Sequence, residues 1–261
     1  MKRIIRFLCV FLFVCTISIS TFSANAYAAP IDTNTGAKGY FTVNYSAAQN
    51  CKMKVGVTHK NGTVYYSYIP GTESSYTFTQ GNGDYTVTLY RNVSGNSYAK
   101  VTSTNTVVQL ESEFAPYLAS TTEITFSKSD AVGETSDQLC SALTEDADKV
   151  VAIHNYIASH FTYDKEFAAK VRSGALKTYT PDTSSIIAAN KGVCYDFSSL
   201  FAAMCRSQGI PCTVEKGMRY GGYHAWNTVY VNNAWYSVDL TVSISNELSN
   251  AKSLSDCAIL L

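Results

Sequence analysis

The hydrophobic and polar positions of this chain follow two different periods. Between Lys38 and Leu110, apolar and polar residues alternate in short runs, separated by turn sequences such as Gly81-Asn82-Gly83. Alternation with a period of two predicts β-strands. Asn61-Gly62, between two such runs, predicts a hairpin with a type I′ turn in which both residues take positive φ angles. Short strands at this spacing predict a small antiparallel β-sandwich.

Helical spacing replaces this alternation in the second half of the chain. Thr144 precedes an acidic first turn, which predicts the start of a helix. A second helix is predicted to start near Gly192 and to stop at Gly209-Ile210-Pro211. In both helices the apolar residues are spaced by three and four: Val150, Ile153, Ile157 and Phe161, then Phe197, Leu200, Phe201 and Met204. Two alternating runs around Asn232-Asn233 predict a C-terminal hairpin, and this mixture without a βαβ rhythm is typical of an α+β fold.

Three segments follow from these patterns and from the N-terminus. A basic start at Lys2, an apolar run and sites such as Ala26-Tyr27-Ala28 predict that residues 1–28 are a signal peptide. We therefore expect a secreted or cell-surface-associated protein without a membrane anchor. Residues 29–112 are predicted to form an immunoglobulin-like sandwich, and residues 113–261 the α+β domain.

Composition narrows the classes of partner and cofactor. The 20 basic and 20 acidic residues balance, and loss of residues 1–28 leaves a formal charge of −3. This charge favours neither nucleic acid nor an anionic membrane as partner. We predict no cofactor, no metal site and a monomeric protein. Of the histidines, His154 and His160 are interpreted as structural residues, and His59 is interpreted as a surface residue.

Cysteines outside the predicted signal peptide show no C-x-x-C pair, so neither a zinc site nor a dense disulfide framework is indicated. Two interpretations stay open for them. One is buried free thiols. The other is a Cys205–Cys212 or a Cys140–Cys257 bridge.

The C-terminal hairpin brings a histidine and a carboxylate together. If Asn232-Asn233 form the turn, His224 lies opposite Thr241, and Asp239 is its diagonal neighbour on the same face. Diagonal Cα atoms are roughly 7–8 Å apart, within reach of an imidazole and a carboxylate. Spacing alone therefore predicts that Asp239 orients His224.

Cys194 is predicted in the first turn of the second helix, where unpaired N–H groups and the helix dipole favour the nucleophilic thiolate. If the sheet packs on this helix, His224 meets the sulfur and completes a Cys–His–Asp arrangement. Gly221-Gly222 then leaves space for a substrate backbone, and the N–H of Cys194 can serve as an oxyanion donor. The alternative is an inert buried thiol beside a hydrogen-bonded core histidine.

Two longer stretches, "KGVCYDFSSLFAAMCRSQGIPCTVEKG" and "YHAWNTVYVNNAWYSVDLT", resemble the transglutaminase-like superfamily. The resemblance covers roughly residues 120 to 245 and implies a papain-like core within the α+β class. It implies that Cys194 is the nucleophile, His224 the general base and Asp239 the residue that orients it. Leu240 departs from the family, which often has proline there.

The resemblance also implies an aromatic side-chain oxyanion donor, for which Tyr163 and Tyr195 are candidates. It implies acyl transfer through a thioester, with a protein or peptide as substrate, such as a cell-wall or surface protein. Hydrolysis of peptide or amide bonds is the leading expectation. The alternatives are a cross-linking transglutaminase and a non-catalytic surface-binding module.

Overall fold

The computed structural model describes residues 29–47, 51–176, 179–246 and 251–259. The predicted signal peptide, residues 1–28, lies outside the described residues. Within these ranges no helix is both long and apolar enough to cross a membrane.

The N-terminal part consists of two antiparallel sheets. One sheet has the order β1-β2-β5, and the other has the order β4-β3-β6-β7. Their bounds are β1 Ile31–Asp32, β2 Tyr40–Val43, β3 Met53–His59, β4 Gly62–Tyr68, β5 Ser74–Thr77, β6 Gly83–Ser94 and β7 Ser97–Val108. Alternate residues of both sheets form one buried cluster that includes Phe41, Val55 and Val87. The assignment of this part as an immunoglobulin-like domain stays a prediction.

The hairpin of β3 and β4 differs from the prediction at its turn. His59 pairs with Gly62, so the turn residues are Lys60 and Asn61 rather than Asn61 and Gly62. Of these residues only Gly62 has a positive φ, at 131°, a conformation open to glycine. The prediction that His59 lies on the surface is also wrong. Because it alternates with Val55 and Val57 on the inward face of β3, His59 is 4% exposed and stacks on Tyr85 with ring centroids 4.6 Å apart.

The C-terminal part is α+β. Its helices are α1 Ala131–Cys140, α2 Asp146–His160, α3 Lys165–Arg172, α4 Thr183–Ala189, α5 Cys194–Ser207, α6 Leu240–Ser245 and α7 Leu254–Cys257. Its strands are β8 Thr162–Tyr163, β9 Lys191–Gly192, β10 Cys212–Arg219, β11 Gly222–Val231, β12 Ala234–Val238 and β13 Ala258–Ile259. Strands β10 to β13 form an antiparallel sheet in chain order, and β8 pairs with β9 in parallel. Glu145, not Thr144, is the residue that precedes α2.

Helix α5 is the centre of this part. Every residue from Asp196 to Ser207 is buried, because the helix combines the predicted apolar stripe with small residues such as Ala202 and Ala203 on its other sides. It packs against β10 and β11 of the sheet and against α1, α2 and α4. The six cysteines of the described ranges are free thiols, so neither bridge left open by the sequence is formed.

The C-terminal hairpin follows the predicted register. Val231 pairs with Ala234, and the ladder continues to Asn227 and Val238. Both turn asparagines have positive φ, 52° at Asn232 and 60° at Asn233, as a type I′ turn requires. The pairing stops there, because α6 starts at Leu240, so Thr241 lies in a helix and not opposite His224.

Candidate active site

The start of α5 places Cys194 at the first helical position, where it is partly exposed. Val193 precedes it in an extended conformation, with φ −116° and ψ 179°. The Asp196 carboxylate accepts a hydrogen bond of 2.8 Å from the N–H of Val193. Gly192 lies against the same side chain, since a Cβ on Gly192 would stand 2.7 Å from the Cβ of Asp196. A glycine is therefore required at position 192, because the backbone there passes close to the Asp196 side chain.

Asp196 also ties this turn to a more distant segment. Its Oδ1 accepts a hydrogen bond from the hydroxyl of Tyr179, while its Oδ2 binds the Val193 N–H. Burial of the carboxyl raises the pKa of Asp196, against the lowering effect of these two hydrogen bonds. The nucleophile candidate is thus held by backbone and side-chain contacts beneath it.

His224 lies on β11 and contacts a buried carboxylate. Its Nε2 is 2.8 Å from Oδ2 of Asp239, whose side chain has no exposed surface. The other oxygen of Asp239 accepts a hydrogen bond of 3.1 Å from the N–H of Thr241 and so caps α6. Asp239 reaches His224 from the residue between β12 and α6, rather than from a continued strand.

The Cys194 side chain interacts with the same imidazole and affects its pKa. Burial of the ring opposes its charged form and is the largest single effect on its pKa. Asp239 and Cys194 together outweigh it and raise the pKa of His224 from 6.5 to about 9. Since Nε2 faces Asp239, Nδ1 is the nitrogen left for the sulfur. The structure therefore brings together Cys194, His224 and Asp239, the three side chains selected from the sequence.

Asn227 holds β11 against α5, a role that sequence analysis missed. It is fully buried, and its Nδ2 donates to the carbonyl oxygens of Ser198 at 2.9 Å and of Thr213 at 2.7 Å. Because Ser198 is on α5, this amide fixes the strand that carries His224 to the helix that starts at Cys194. An asparagine between Ala225 and Val229 on the apolar face was the signal that could have identified it.

The two tyrosines proposed as oxyanion donors differ in their surroundings. Tyr163 lies near Cys194: burial raises the pKa of Tyr163, and the nearby Cys194 raises it further. The Tyr195 ring instead contacts the ion pair formed by Lys216 and Glu123. The Nζ of Lys216 stands 4.8 Å from its ring centroid and is also 2.8 Å from a carboxylate oxygen of Glu123. Tyr163 is therefore the better placed of the two.

The other histidines of α2 are engaged in local contacts. His154 is buried, and its Nε2 lies 2.8 Å from the hydroxyl of Ser243. Burial lowers the pKa of His154, which favours a neutral ring. The Nδ1 of His160 is 2.9 Å from the carbonyl oxygen of Tyr156. Among the described residues no three His, Cys, Asp or Glu side chains are grouped as metal ligands.

Part of this chain is similar to known proteins. Residues 133–240 match the family model of the transglutaminase-like superfamily. That segment of the chain belongs to the transglutaminase-like superfamily. The kyphoscoliosis peptidases of Mus musculus and Homo sapiens are 31% and 32% identical to this chain over 122 and 121 residues, 42% and 40% of its length. These alignments cover 18% of each peptidase.

Several solved structures are also similar to this chain. A structure described as a TGase is 30% identical over 42% of this chain and 29% of its own, with a TM-score of 0.35. A protein from Cytophaga hutchinsonii, provisionally assigned as a cysteine protease, has a TM-score of 0.42 and 17% identity over 77% of this chain and 71% of its own. The periplasmic domain of TgpA from Pseudomonas aeruginosa has a TM-score of 0.36 and 12% identity over 85% of this chain and 99% of its own. The transglutaminase-like assignment of residues 133–240 rests on the family model.

Proposed function

We propose that this protein is a secreted cysteine acyl-transfer enzyme that hydrolyses peptide or amide bonds. The observation that carries the proposal is the convergence of Cys194, His224 and Asp239 from α5, β11 and the β12–α6 junction. The charged imidazole between a sulfur and a buried carboxylate is the arrangement that activates a cysteine nucleophile.

In the proposed reaction the Cys194 sulfur attacks the carbonyl carbon and forms a C–S bond, while the carbonyl oxygen takes the negative charge. The N–H of Cys194 and the hydroxyl of Tyr163 are the proposed donors to that oxygen. His224 gives its proton to the leaving amine as the C–N bond breaks, which leaves a thioester. It then takes a proton from water, whose oxygen attacks the thioester carbon. The C–S bond breaks, which releases a carboxylic acid and restores the Cys194 thiolate beside the protonated His224 ring.

Hydrolysis is preferred over cross-linking because the curated relatives are named peptidases. A lysine amine could attack the same thioester and form an isopeptide bond, so the cross-linking alternative uses the same three residues. A non-catalytic surface module is the third candidate. It provides no reason for three reactive side chains to converge.

The setting of the enzyme is also a proposal. A signal peptide at residues 1–28 places the enzyme outside the cell, acting as a monomer on a protein or peptide of the cell wall or surface. The N-terminal β-domain then serves to position the enzyme on that substrate.

The direct test is the reactivity of Cys194. Iodoacetamide and electrophilic peptide probes, followed by mass spectrometry, should label Cys194 ahead of Cys51, the other partly exposed thiol in the described ranges. Cys194→Ala should abolish turnover and the acyl-enzyme, whereas Cys51→Ala should preserve both. Equal labelling of the two thiols would refute an activated nucleophile. Release of fragments or ammonia favours hydrolysis, and incorporation of an amine probe favours cross-linking.

A further inference from the structure

Arg219, the last residue of β10, has a buried hydrogen-bond donor that finds no partner. Its guanidinium carbon lies 4.9 Å from the ring centroid of Trp226 and 5.4 Å from that of Tyr220. Its Nη1 is buried, and within the part of the chain that the structure describes no atom accepts a hydrogen bond from it. A buried, charged donor without an acceptor is costly, so this group is suited to a ligand that supplies one.

The guanidinium is a neighbour of the proposed catalytic histidine. Gly217 pairs with His224 across the β10–β11 ladder, so Arg219 is the diagonal neighbour of His224 on the same face. The same two aromatic residues also flank the imidazole, with ring centroids 6.2 Å away for Trp226 and 5.7 Å for Tyr220. Arg219 is therefore placed beside the reacting groups.

Gly217 provides the room for this arrangement. A Cβ at that position would stand 3.3 Å from the ring of Trp226, which leans over the glycine. The indole in turn gives the guanidinium a flat surface. A guanidinium stacked on aromatic rings keeps its edge N–H groups free and oriented, which suits a planar, bidentate acceptor.

The charged groups around Arg219 indicate the sign of the charge that its ligand carries. Among the described residues no carboxylate lies within 4.0 Å of the guanidinium, and Asp239, the carboxylate of the proposed site, is already bound to His224. Met218 and Tyr223, each 74% exposed, pair with each other on the opposite face of the ladder. On the side of the guanidinium, the ring of Tyr220 is 66% exposed and offers an apolar surface. A carboxylate carried on a peptide would meet both the cation and this apolar surface.

We propose that Arg219 binds a carboxylate of the substrate, next to the bond that Cys194 attacks. The inference rests on the proposed function and specifies its substrate class as acidic peptides. The carboxylate comes from an Asp or Glu side chain or from a free C-terminus, which share the same chemistry.

Binding to a form that cannot turn over tests this proposal. The Cys194→Ala protein would be incubated with a hexapeptide library in which each Asp or Glu member has an Asn or Gln counterpart. A second set would pair free C-terminal acids with C-terminal amides. Retained peptides would be quantified by mass spectrometry, and selected pairs by calorimetry. We expect acidic members to bind about 10- to 100-fold more tightly than their amide counterparts. The set that shows the difference identifies the source of the carboxylate.

Variants of Arg219 complete the test in the same background. Arg219→Gln should remove the preference for acidic members and leave binding of the amide members unchanged. Arg219→Lys, which keeps the charge but loses the planar fork, should retain part of it. Arg91→Gln, an exposed arginine of the N-terminal domain, is the matched control and should change nothing.

Several results would overturn the proposal. They are equal binding of acidic and amide peptides, retention of no acidic peptide, a preference that survives Arg219→Gln, or loss of both peptide types in that variant. Because the assay needs no turnover, its failure is separate from failure of the proposed function, which is judged by labelling of Cys194.

Discussion

The Asp239 carboxylate bonds to His224 with one oxygen, at 2.8 Å, and caps helix α6 with the other, at 3.1 Å. One buried side chain therefore orients the imidazole and starts the helix that follows the hairpin. Strand β12 ends at Val238 and α6 starts at Leu240, so Asp239 is the single residue between them. Its position therefore depends on both the strand and the helix.

Asp239→Asn separates the charge of this residue from its capping role. Asparagine also caps helices, so we expect a nearly unchanged thermal midpoint. Loss of the negative charge should lower the pKa of His224 from about 9, measured by NMR titration of the imidazole. The rate of peptide turnover should fall on the order of 100-fold or more. Asp182→Asn, at the cap of α4, is the control. Turnover within a few-fold of wild type in Asp239→Asn would contradict the proposed role.

The raised pKa of His224 gives a stability profile with a defined sign. Folding favours the protonated ring, so its stabilisation is complete below the unfolded pKa near 6.5 and is lost as pH rises through about 9. We expect the excess unfolding free energy of wild type over His224→Gln to fall by on the order of 1–3 kcal/mol across this window. Denaturant titrations at several pH values measure it. A constant difference from acid to alkaline pH would rule out this linkage.

Gly192→Ala should disturb the turn before Cys194. Its new Cβ would stand 2.7 Å from the Cβ of Asp196, so that side chain or the backbone has to move. We expect a loss of about 1–3 kcal/mol in unfolding free energy and slower labelling of Cys194. Gly36→Ala, whose Cβ would meet its nearest atoms at 3.7 Å and 3.8 Å, is the control and should be nearly neutral. If both variants behave alike, the close approach has no consequence.

Asn227→Ala should loosen β11 from α5. It leaves the carbonyl oxygens of Ser198 and Thr213 without their donor in a buried region, which we expect to cost about 2–4 kcal/mol. Because the same amide sets the position of His224 relative to Cys194, labelling of Cys194 should slow as well. Asn92→Ala removes an exposed amide that binds Gly95 and Ser97, and should cost less than about 1 kcal/mol. Calorimetry and alkylation kinetics measure both effects, and equal losses in the two variants would argue against a special role for Asn227.

Much of the site could be predicted from local sequence. The Asn232-Asn233 turn set the hairpin register, and that register placed Asp239 near His224, as the structure has it. The helix start at Cys194 follows from the change to helical spacing after Gly192. These features depend on backbone conformation and residue period, which neighbouring residues control over short distances.

Other features could not be predicted, because they depend on contacts between distant segments. The inward position of His59 follows from where β3 packs, and a histidine next to a turn gives no sign of it. Asp196 meets Tyr179 across separate elements, and Arg219 meets Trp226 only through the space above Gly217. None of these pairs has a periodic signature in the sequence.

The sequence by itself therefore determined most strands of the N-terminal part, the two helices α2 and α5, the register of the last hairpin and the choice of Cys194, His224 and Asp239 as candidates. Only the tertiary structure decided that Cys194 reaches His224, that β12 ends and α6 begins at Asp239, and that Nη1 of Arg219 has no acceptor among the described residues. The physical reason is the distance along the chain over which each kind of interaction acts. Dihedral preferences and hydrophobic period act within a few residues, whereas the distance from α5 to β11 is set by close packing of the whole core.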